Sequence, residues 1–407
     1  MRVLFLMLNY PFDKKREHMY KDLSKEFAKM GHDVYVAALL ERRFGNNTFV
    51  EKEKKHTILW IKGGNYFGVN KIKKGLTAIA LPFIFSKAIN KNLARVNFDL
   101  IIYPTPAITL YFTVKRLKRL LRAKTLLIVK DIFPQNALDI GMLNKGLVYK
   151  VFRNIEKKLY HISDFLGCMS EGNIEYLKQH NSIPSSKFFI LENWSSTIDR
   201  AQLTADERVA IKKRYNVSGK FVCVFGGNIS PANELDFLLD LAQKVQEDGL
   251  DDMVFLVIGK GIGKERLKQK IKSLKLTNVK MFNFIPTEEY DKLLQTSDLG
   301  LVNLSRAYTI PNIPSKTLNL LRLGLPILAA TDKNTDYREL LNEEFKAGLW
   351  CETGDINKYY ENLLELYKSE EKRNQFSKNG RRYFVNNLTT EVAYQKIVQK
   401  IGENLDE

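Results

Sequence analysis

The sequence contains few of the residues that bind metals or form disulfides. It has three cysteines and five histidines in 407 residues, and Cys168, Cys223 and Cys351 are widely spaced, with no C-x-x-C pair. Zinc sites and disulfide scaffolds need such residues close together. A convincing D-x-D pair for a divalent cation is also missing. We therefore predict reduced core thiols, no metal site and a cytoplasmic location.

Long hydrophobic runs are also missing. A helix that crosses a bilayer needs about 20 mainly apolar residues, and the sequence has no such stretch. The apolar run at residues 3–8 is interrupted by Asn9 and Pro11, which is too early for a signal peptide. Hydrophobic residues still make up 44% of the chain, which is enough for globular cores. The length predicts two domains.

Acidic residues are scarce in the first half of the chain. Residues 1–200 contain 34 Lys and Arg against 17 Asp and Glu, whereas residues 201–407 contain 30 against 29. This asymmetry indicates an anionic partner, such as nucleic acid, a membrane surface or a phosphorylated lipid. Because the sequence has no recognisable nucleic-acid-binding module, we predict no nucleic acid partner. We predict peripheral association with the anionic inner face of the cell membrane.

Two segments of the first half are candidates for this association. Residues 115–124 include six basic residues and no acid, on a predicted helix whose other face is apolar. Residues 76–85 form an apolar stretch between lysines, too short to span a bilayer but able to lie on one. The alternatives are an ordinary solvated helix face for the first segment and a buried helix for the second.

In the second half, one stretch has the pattern of a phosphate site. A buried strand is predicted at residues 299–302, and a loop containing Pro314 leads to Ser315, where a helix over 316–323 is predicted to begin. A helix N-terminus presents N–H groups and partial positive charge, and Lys316 adds a full charge. The alternative is an ordinary βαβ crossover with a surface lysine.

In the first half, polar residues follow predicted parallel strands, whose carboxyl ends line the ligand crevice in open α/β sheets. The strand at 125–129 is followed by Lys130, suited to an anionic group, and Asp131, suited to a hydroxyl group. The alternative for Asp131 is capping of the next turn. Three more residues are predicted to line this crevice: Asn9, His18 and Thr105. The alternative for His18 is an ordinary surface histidine.

Several motifs follow one another in an order that is specific as a set. They are Gly31-His32-Asp33-Val34, Lys130-Asp131-Ile132-Phe133-Pro134, Glu192-Asn193-Trp194, Phe225-Gly226-Gly227-Asn228-Ile229 and P-S-K-x-x-N-x-x-x-x-G-x-P-I-L-A from Pro314. This series, which spans most of the chain, resembles retaining glycosyltransferases of family 4. It most resembles the branch that assembles bacterial surface polysaccharides, including N-acetylfucosamine transferases.

The resemblance implies a fold and domain boundaries. The implied fold is GT-B, an α/β arrangement of two Rossmann-like domains facing each other across a cleft, with a C-terminal helix crossing back to the first domain. The implied divisions are 1–195 for an N-terminal acceptor-binding domain, 196–380 for a nucleotide-sugar donor-binding domain and 381–407 for the returning helix.

The resemblance also implies residue roles. The catalytic residues would be Lys130, Asp131 and Lys316. The residues on the acceptor side of the crevice would be Asn9, His18 and Thr105. The donor-binding residues would be Gly226, Gly227, Asn228, Lys260, Phe284, Ile285, Pro314, Ser315, Lys316 and Asn319. The chain departs from the family's glutamate pair, E-x(7)-E: the second glutamate aligns with Asn319 and the first aligns near Pro311.

The implied activity is metal-independent glycosyl transfer with no cofactor. A sugar, of an N-acetylated hexosamine type, would move with retention from a nucleotide-diphosphate donor, UDP-linked, to a lipid-linked or glycan acceptor. The predicted acceptor is a polyprenyl-diphosphate-linked glycan in capsule, O-antigen or exopolysaccharide assembly. An alternative on the same fold is a nucleotide-sugar 2-epimerase-like isomerase. That reaction needs carboxylates and a histidine around the sugar, and none of the five histidines lies in a matching sequence context.

Overall fold

The computed structural model describes residues 1–14, 16–45, 47–196 and 203–403. The chain divides into two compact units, the first formed by Met1–Ser196 with Thr389–Glu407 and the second by Thr197–Leu388. The stretch 197–202, next to the predicted boundary at 195/196, lies outside the described residues. Each unit is an α/β domain with one sheet, which confirms the predicted pair of Rossmann-like domains.

Among the described residues, the first unit contains eight strands. They are β1 (Arg2–Met7), β2 (Asp33–Glu41), β3 (Phe49–Glu53), β4 (His56–Gly63), β5 (Leu100–Pro104), β6 (Lys124–Val129), β7 (Phe165–Cys168) and β8 (Phe188–Ile190). They form one sheet in the order β3-β4-β2-β1-β5-β6-β7-β8. Neighbours are parallel except for the antiparallel pair β3–β4.

The helices between these strands begin near the carboxyl edge of the sheet. They are α1 (Met19–Lys29), α2 (Lys71–Asn92), α3 (Tyr111–Leu121), α4 (Gln135–Asp139), α5 (Leu147–Ile162) and α6 (Glu171–Asn181). Because helices cover both faces of a largely parallel sheet, its central strands are apolar throughout. In β1 all side chains from Val3 to Met7 are fully buried, as the uninterrupted apolar run predicts.

The second unit contains a parallel sheet of six strands. They are β9 (Phe221–Asn228), β10 (Met253–Lys260), β11 (Val279–Phe282), β12 (Leu299–Asn303), β13 (Ile327–Thr331) and β14 (Gly348–Glu352). The order is β11-β10-β9-β12-β13-β14, and every neighbouring pair is parallel.

The remaining helices complete the second unit and then return the chain to the first. They are α7 (Ala205–Arg214), α8 (Leu235–Glu247), α9 (Lys264–Ser273), α10 (Thr287–Leu294), α11 (Lys316–Leu323), α12 (Tyr337–Glu339), α13 (Ile356–Lys368), α14 (Glu370–Asn387) and α15 (Thr390–Gly402).

The C-terminal segment differs in part from its prediction. The return of the last helix to the first unit is confirmed: in α15, Tyr394 packs edge-to-face on Phe27 at 4.8 Å, and Lys396 pairs with Glu192 at 2.6 Å. However, residues 381–407 are not one helix. The second-unit helix α14 continues to Asn387, and α15 begins anew because the Thr389 side chain accepts a hydrogen bond from the Val392 N–H group.

The predicted basic helix is shorter and less basic than expected. Helix α3 ends at Leu121, and Arg122 takes the left-handed conformation with φ of 54°. Lys124 belongs to β6. Lys118 forms an ion pair with Asp164 at 2.8 Å, so an acid from a distant part of the sequence neutralises it. In the described part of the chain, no helix is both long enough and apolar enough to cross a bilayer.

Candidate active site

The predicted donor residues of the second unit lie where the strand order of its sheet reverses. After β9 the chain adds β10 and β11 on one side, and it then crosses to place β12 on the other side of β9. Ligands of open α/β sheets bind outside the carboxyl ends of the strands at such a switch point. Here β9 ends in Gly226, Gly227 and Asn228, while β12 leads into α11 and Lys316. The topology therefore brings these residues to one edge.

Lys316 is held by two neighbours from the β9 side of this edge. Its Nζ atom donates a hydrogen bond to Asn233 Oδ1 at 2.8 Å and lies 3.8 Å from the ring centroid of Phe225. Burial lowers the pKa of Lys316 to about 7. Asn233 in turn donates to the backbone carbonyl of Asn228 at 2.7 Å. The lysine is thus fixed in place, and no carboxylate contributes to its altered pKa.

The N-terminus of α11 has no side-chain cap from Ser315. The helix spans Lys316–Leu323 and ends at Gly324 with φ of 63°, as the sequence predicts. Ser315 takes the N-cap position, where the helix was predicted to begin, but its backbone is already helical and its side chain makes no capping hydrogen bond. Pro314 is buried and Ser315 is exposed. The Ser315 hydroxyl therefore does not compete with an anion for the N–H groups of the first turn.

Gly226 makes room for a neighbouring side chain, and its predicted contact with the donor stays a prediction. A Cβ atom on Gly226 would lie 1.9 Å from the Tyr290 hydroxyl oxygen and 2.2 Å from the adjoining ring carbon. The glycine therefore makes room for Tyr290, a residue of α10. At Gly227, φ is 149°, a backbone conformation that residues with a side chain rarely adopt, so this position near the end of β9 requires a glycine.

The other predicted donor residues lie at the same carboxyl edge or follow it. Lys260, the last residue of β10, places Nζ 5.2 Å from the ring centroid of Phe284, which is 63% exposed. Ile285 is half-buried beside it, and Asn319 is half-buried three residues into α11 from Lys316. An exposed aromatic ring and an amide at this edge are suited to stacking on a base and hydrogen bonding to a ribose.

In the first unit, Thr105 holds neighbouring residues in place and is too buried to contact an acceptor substrate directly. It is 4% exposed, and its Oγ1 atom accepts hydrogen bonds from the backbone N–H groups of Lys130 and Asp131, both at 2.9 Å. The prediction of a direct acceptor contact is therefore corrected, because the hydroxyl is buried and already used. Its effect is to fix the turn that follows β6.

Lys130 and Asp131 are neighbours at this turn, as predicted. Lys130 Nζ donates to the backbone carbonyl of Glu192 at 3.2 Å and lies 4.5 Å above the Trp194 ring; burial lowers its pKa to about 7. Burial raises the pKa of Asp131, and its Oδ1 atom accepts from Asn136 at 3.4 Å. The capping alternative for Asp131 is wrong for α4, whose N-cap is Pro134.

Asn9 and His18 differ strongly in exposure. Asn9 is exposed just beyond β1, beside the switch point between β1 and β5. The His18 ring packs against Tyr10 and Tyr20, and burial lowers its pKa to about 4. Within the described residues, His18 Nδ1 is buried without a hydrogen-bond partner. The surface alternative for His18 is wrong, and the residue is a neutral imidazole at pH 7.

Sequence reasoning missed two aromatic residues of the donor edge. Phe225 packs under the Lys316 ammonium group, and Tyr290 fills the space above Gly226. Phe225 could have been identified from the sequence, because it immediately precedes the two glycines of β9. Tyr290 could not, because α10 reaches Gly226 only in the folded chain. Within the described residues, no three His, Cys, Asp or Glu side chains gather in a metal-binding arrangement, and metal independence stays a prediction.

Residues 207–383 match the family described as Glycosyl transferases group 1. The chain is similar to the probable glycosyltransferase WbjE of Pseudomonas aeruginosa, at 25% identity over 67% of this chain and 66% of that protein. It is also similar to the putative colanic acid biosynthesis glycosyl transferase WcaI of Escherichia coli K12, at 26% identity over 60% of each chain. In both cases the match spans less than two thirds of the relative's length.

A solved structure with a similar fold is HepE from Anabaena in complex with UDP. It superposes with a TM-score of 0.72 over 99% of this chain and 100% of that chain, at 14% identity. This likeness covers both units and confirms the predicted fold. The matched family segment contains β9, Gly226, Lys316 and Asn319, which are the residues that the fold brings to the switch point.

Proposed function

We propose that this chain, which belongs to the Glycosyl transferases group 1 family through residues 207–383, is a retaining glycosyltransferase that uses a nucleotide-diphosphate sugar. The observation that carries the proposal is Lys316. It stands at the N-terminus of α11, at the switch point of the second sheet, with its ammonium group fixed by Asn233 and Phe225. Cations and helix N-termini so placed stabilise charge that develops on a leaving diphosphate.

The electrostatics of Lys316 fit such a step. Burial lowers the pKa of Lys316 to about 7, so the buried ammonium lacks a compensating negative charge. A diphosphate would supply that charge and favour the protonated form. Stabilisation then grows as the bond between the sugar and the diphosphate breaks and negative charge moves onto the diphosphate oxygen. This is preferential stabilisation of the transition state, which is what accelerates the chemical step.

The first unit supplies a second set of groups for the proposed reaction. Asp131 and Lys130 lie together after β6, held by the Thr105 hydroxyl. The raised pKa of Asp131, caused by burial, suits a carboxyl that exchanges hydrogen bonds with a sugar or acceptor hydroxyl. We assign these residues to the acceptor and the transferred sugar, with the attacking hydroxyl on the face from which the diphosphate departs. That geometry gives retention.

The donor and acceptor classes are proposed from the similar proteins and from the sequence motifs. UDP is proposed because HepE, which shares the fold, has been solved with UDP. An N-acetylated hexosamine type is proposed from the sequence motifs. A polyprenyl-diphosphate-linked glycan in capsule, O-antigen or exopolysaccharide assembly is proposed because the similar protein WcaI is described as a colanic acid biosynthesis enzyme. The basic first half supports peripheral association with the anionic inner face of the membrane.

The experiment that tests this function is a donor screen. Purified protein is incubated with a panel of radiolabelled nucleotide sugars and bacterial membranes, and label is measured in the lipid extract. We expect one donor of the UDP class to label the lipid fraction, and the same donor to stay unchanged without membranes. Conversion of the donor to an isomer without membranes would instead support an epimerase. No labelling with any donor would contradict glycosyl transfer to a lipid acceptor.

A further inference from the structure

Helices α2, α3 and α5 form one layer on the first sheet. They connect β4 to β5, β5 to β6 and β6 to β7, three steps in the same direction across the sheet, and right-handed crossovers place all three on one face. Helix α2 packs against α3, and α3 packs against α5. Between α2 and α3 the outer surface forms a groove of about 580 Å³. This groove is outside the site described above.

The groove is apolar at one end and basic at the other. Leu76, Ile79 and Phe83 follow a helical spacing on the exposed face of α2, and Phe83 is 76% exposed. One and two turns later the same face presents Lys87 and Lys91, which line the groove. Helix α3 repeats the pattern, with Phe112 at 52% exposure and Arg116 one turn later.

The basic end of the groove is not neutralised by the protein. Lys87, Lys91 and Arg116 line it together with Asn90, and no carboxylate lines it. In the described part of the chain these three cations have no ion-pair partner, whereas Lys118, on the inner side of α3, is paired with Asp164. Three clustered cations next to two exposed phenyl rings are complementary to an anionic headgroup attached to hydrocarbon chains.

We propose that the α2–α3 groove binds the phosphate headgroup of an anionic membrane phospholipid, with Phe83 and Phe112 inserted among the acyl chains. This inference rests on the proposed membrane association and deepens it: a defined headgroup site replaces a diffuse basic surface. Binding of a soluble phosphate ion would need the three cations but would not explain the exposed phenyl rings. A second copy of the chain on this face would bring the same cations against each other in a two-fold contact.

A further apolar element supports the same orientation. Leu147, Val148 and Val151 at the start of α5 are 78%, 56% and 47% exposed. Because α2, α3 and α5 all run back from the carboxyl edge of the sheet, their first turns lie towards the edge that holds Lys130 and Asp131. The lipid-binding layer thus leads to the proposed acceptor side, where a membrane-embedded acceptor has to arrive.

The first test is charge reversal in the groove, measured by flotation with vesicles of phosphatidylcholine with or without phosphatidylglycerol. The groove variant carries Lys87→Glu, Lys91→Glu and Arg116→Glu. The control carries the same charge change at exposed positions elsewhere in the first unit, Lys25→Glu, Arg42→Glu and Lys52→Glu. We expect the groove variant to lose at least about tenfold in binding to anionic vesicles, with a clearly smaller loss in the control. Equal losses would overturn the groove site in favour of diffuse electrostatics.

The second test reports insertion directly and does not depend on charge. Phe83→Trp should show fluorescence quenching by brominated acyl chains in vesicles with phosphatidylglycerol, whereas Phe49→Trp, on the exposed strand β3, should not. Dihexanoyl-phosphatidylglycerol should compete with this quenching, and inorganic phosphate at the same concentration should not. Equal competition by phosphate, absence of quenching, or a groove-dependent dimer in sedimentation would each contradict the proposal.

Failure of this site and failure of the proposed function have different signatures. The groove variant should keep the wild-type affinity for the donor found in the screen, because the groove lies outside the donor edge. Vesicle binding that is intact in the wild type together with no donor turnover would remove the proposed function but leave the lipid site. Donor turnover with equal loss of vesicle binding in the groove and control variants would remove the lipid site alone.

Discussion

At the scale of single residues, the proposed contact of Lys316 with the donor diphosphate predicts that donor binding depends on pH. Burial lowers the pKa of Lys316 to about 7, and a bound diphosphate would raise it by supplying a negative charge. Binding above pH 7 therefore takes up a proton. We expect the affinity for a UDP-sugar to be highest near pH 6 and to fall by up to about tenfold per pH unit above 7.

Isothermal titration calorimetry between pH 6 and pH 9 measures this dependence. A UDP-sugar is preferred to UDP because its phosphates do not titrate in this range, and buffers of different ionisation enthalpy report the proton taken up. The Lys316→Arg variant is the control, because arginine stays charged at every pH used. A wild-type affinity as flat as that of the variant would show that Lys316 does not face the diphosphate.

Gly226 gives a prediction about packing. A Cβ atom there would lie 1.9 Å from the Tyr290 hydroxyl oxygen, so Gly226→Ala should lower the free energy of unfolding in urea by about 1–3 kcal/mol. Adding Tyr290→Ala should remove the clash, so the double variant should lose less than the sum of the two single changes. Gly75→Ala in α2 is the control: its Cβ meets nothing within 4 Å, and it should stabilise by about 0.5–1 kcal/mol.

At the scale of elements, a buried ion pair joins α10 to α11. Arg322 donates to Asp291 at 2.5 Å, and the two side chains are 5% and 0% exposed. Arg322→Met leaves the Asp291 carboxylate buried without its ion-pair partner, and we expect it to lower the free energy of unfolding by about 3–5 kcal/mol. Chemical denaturation measures this change.

Two further variants isolate the cause of that loss. Adding Asp291→Leu to Arg322→Met should restore most of the stability, because an apolar pair of similar volume removes the buried charge. Lys358→Met breaks an exposed pair with Glu361 at 3.5 Å and should cost less than about 1 kcal/mol. If Arg322→Met cost no more than Lys358→Met, the pair would contribute little to the position of α11.

Helix α11 shows what local sequence signals can predict. Its bounds follow from Pro314 before it and Gly324 after it, because the proline ring fixes φ and glycine, which has no Cβ atom, tolerates the left-handed conformation at a helix end. The side chain of Ser315 does not cap this helix, because an N-cap residue normally has an extended backbone and the backbone of Ser315 is already helical. The break between α14 and α15 was missed because Thr389, with no glycine or proline beside it, forms the cap.

Contacts between distant segments limited the prediction of the site. Lys130 was expected to follow a strand and does, but its seat over Trp194 joins residues far apart in the sequence. Thr105 was placed correctly at a carboxyl strand end, yet its hydroxyl is consumed by the N–H groups after the neighbouring strand. A sequence pattern predicts which edge a residue occupies, but the neighbouring elements decide which atoms remain available.

At the scale of the whole molecule, the proposed reaction places the burden of charge neutralisation on protein cations. Lys316 and the α11 N-terminus then replace a divalent ion at the diphosphate. We expect transfer measured in the presence of EDTA to match transfer with added magnesium or manganese. Loss of activity in EDTA with recovery on addition of either metal would mean that the diphosphate is held by a metal ion.

The uneven charge of the chain is also a property of the whole molecule. Residues 1–200 carry 34 basic against 17 acidic residues, and residues 201–407 carry 30 against 29. Composition predicted a membrane-facing half but not which surface carries it, because the pairing of Lys118 with Asp164 and the end of α3 at Leu121 appear only in the fold. The near-neutral second half suits binding of a soluble donor.

The most direct test of the account is the catalytic efficiency of Lys316→Ala with the donor identified by the screen. Labelled sugar transferred to membrane lipid is measured for the wild type, for Lys316→Ala and for Lys272→Ala, which removes an exposed lysine of α9. We predict that kcat/KM of Lys316→Ala falls by about 100- to 1,000-fold, with an unchanged circular dichroism spectrum, and that Lys272→Ala matches the wild type. A Lys316→Ala enzyme within about twofold of the wild type would contradict the assignment of the diphosphate to this helix N-terminus.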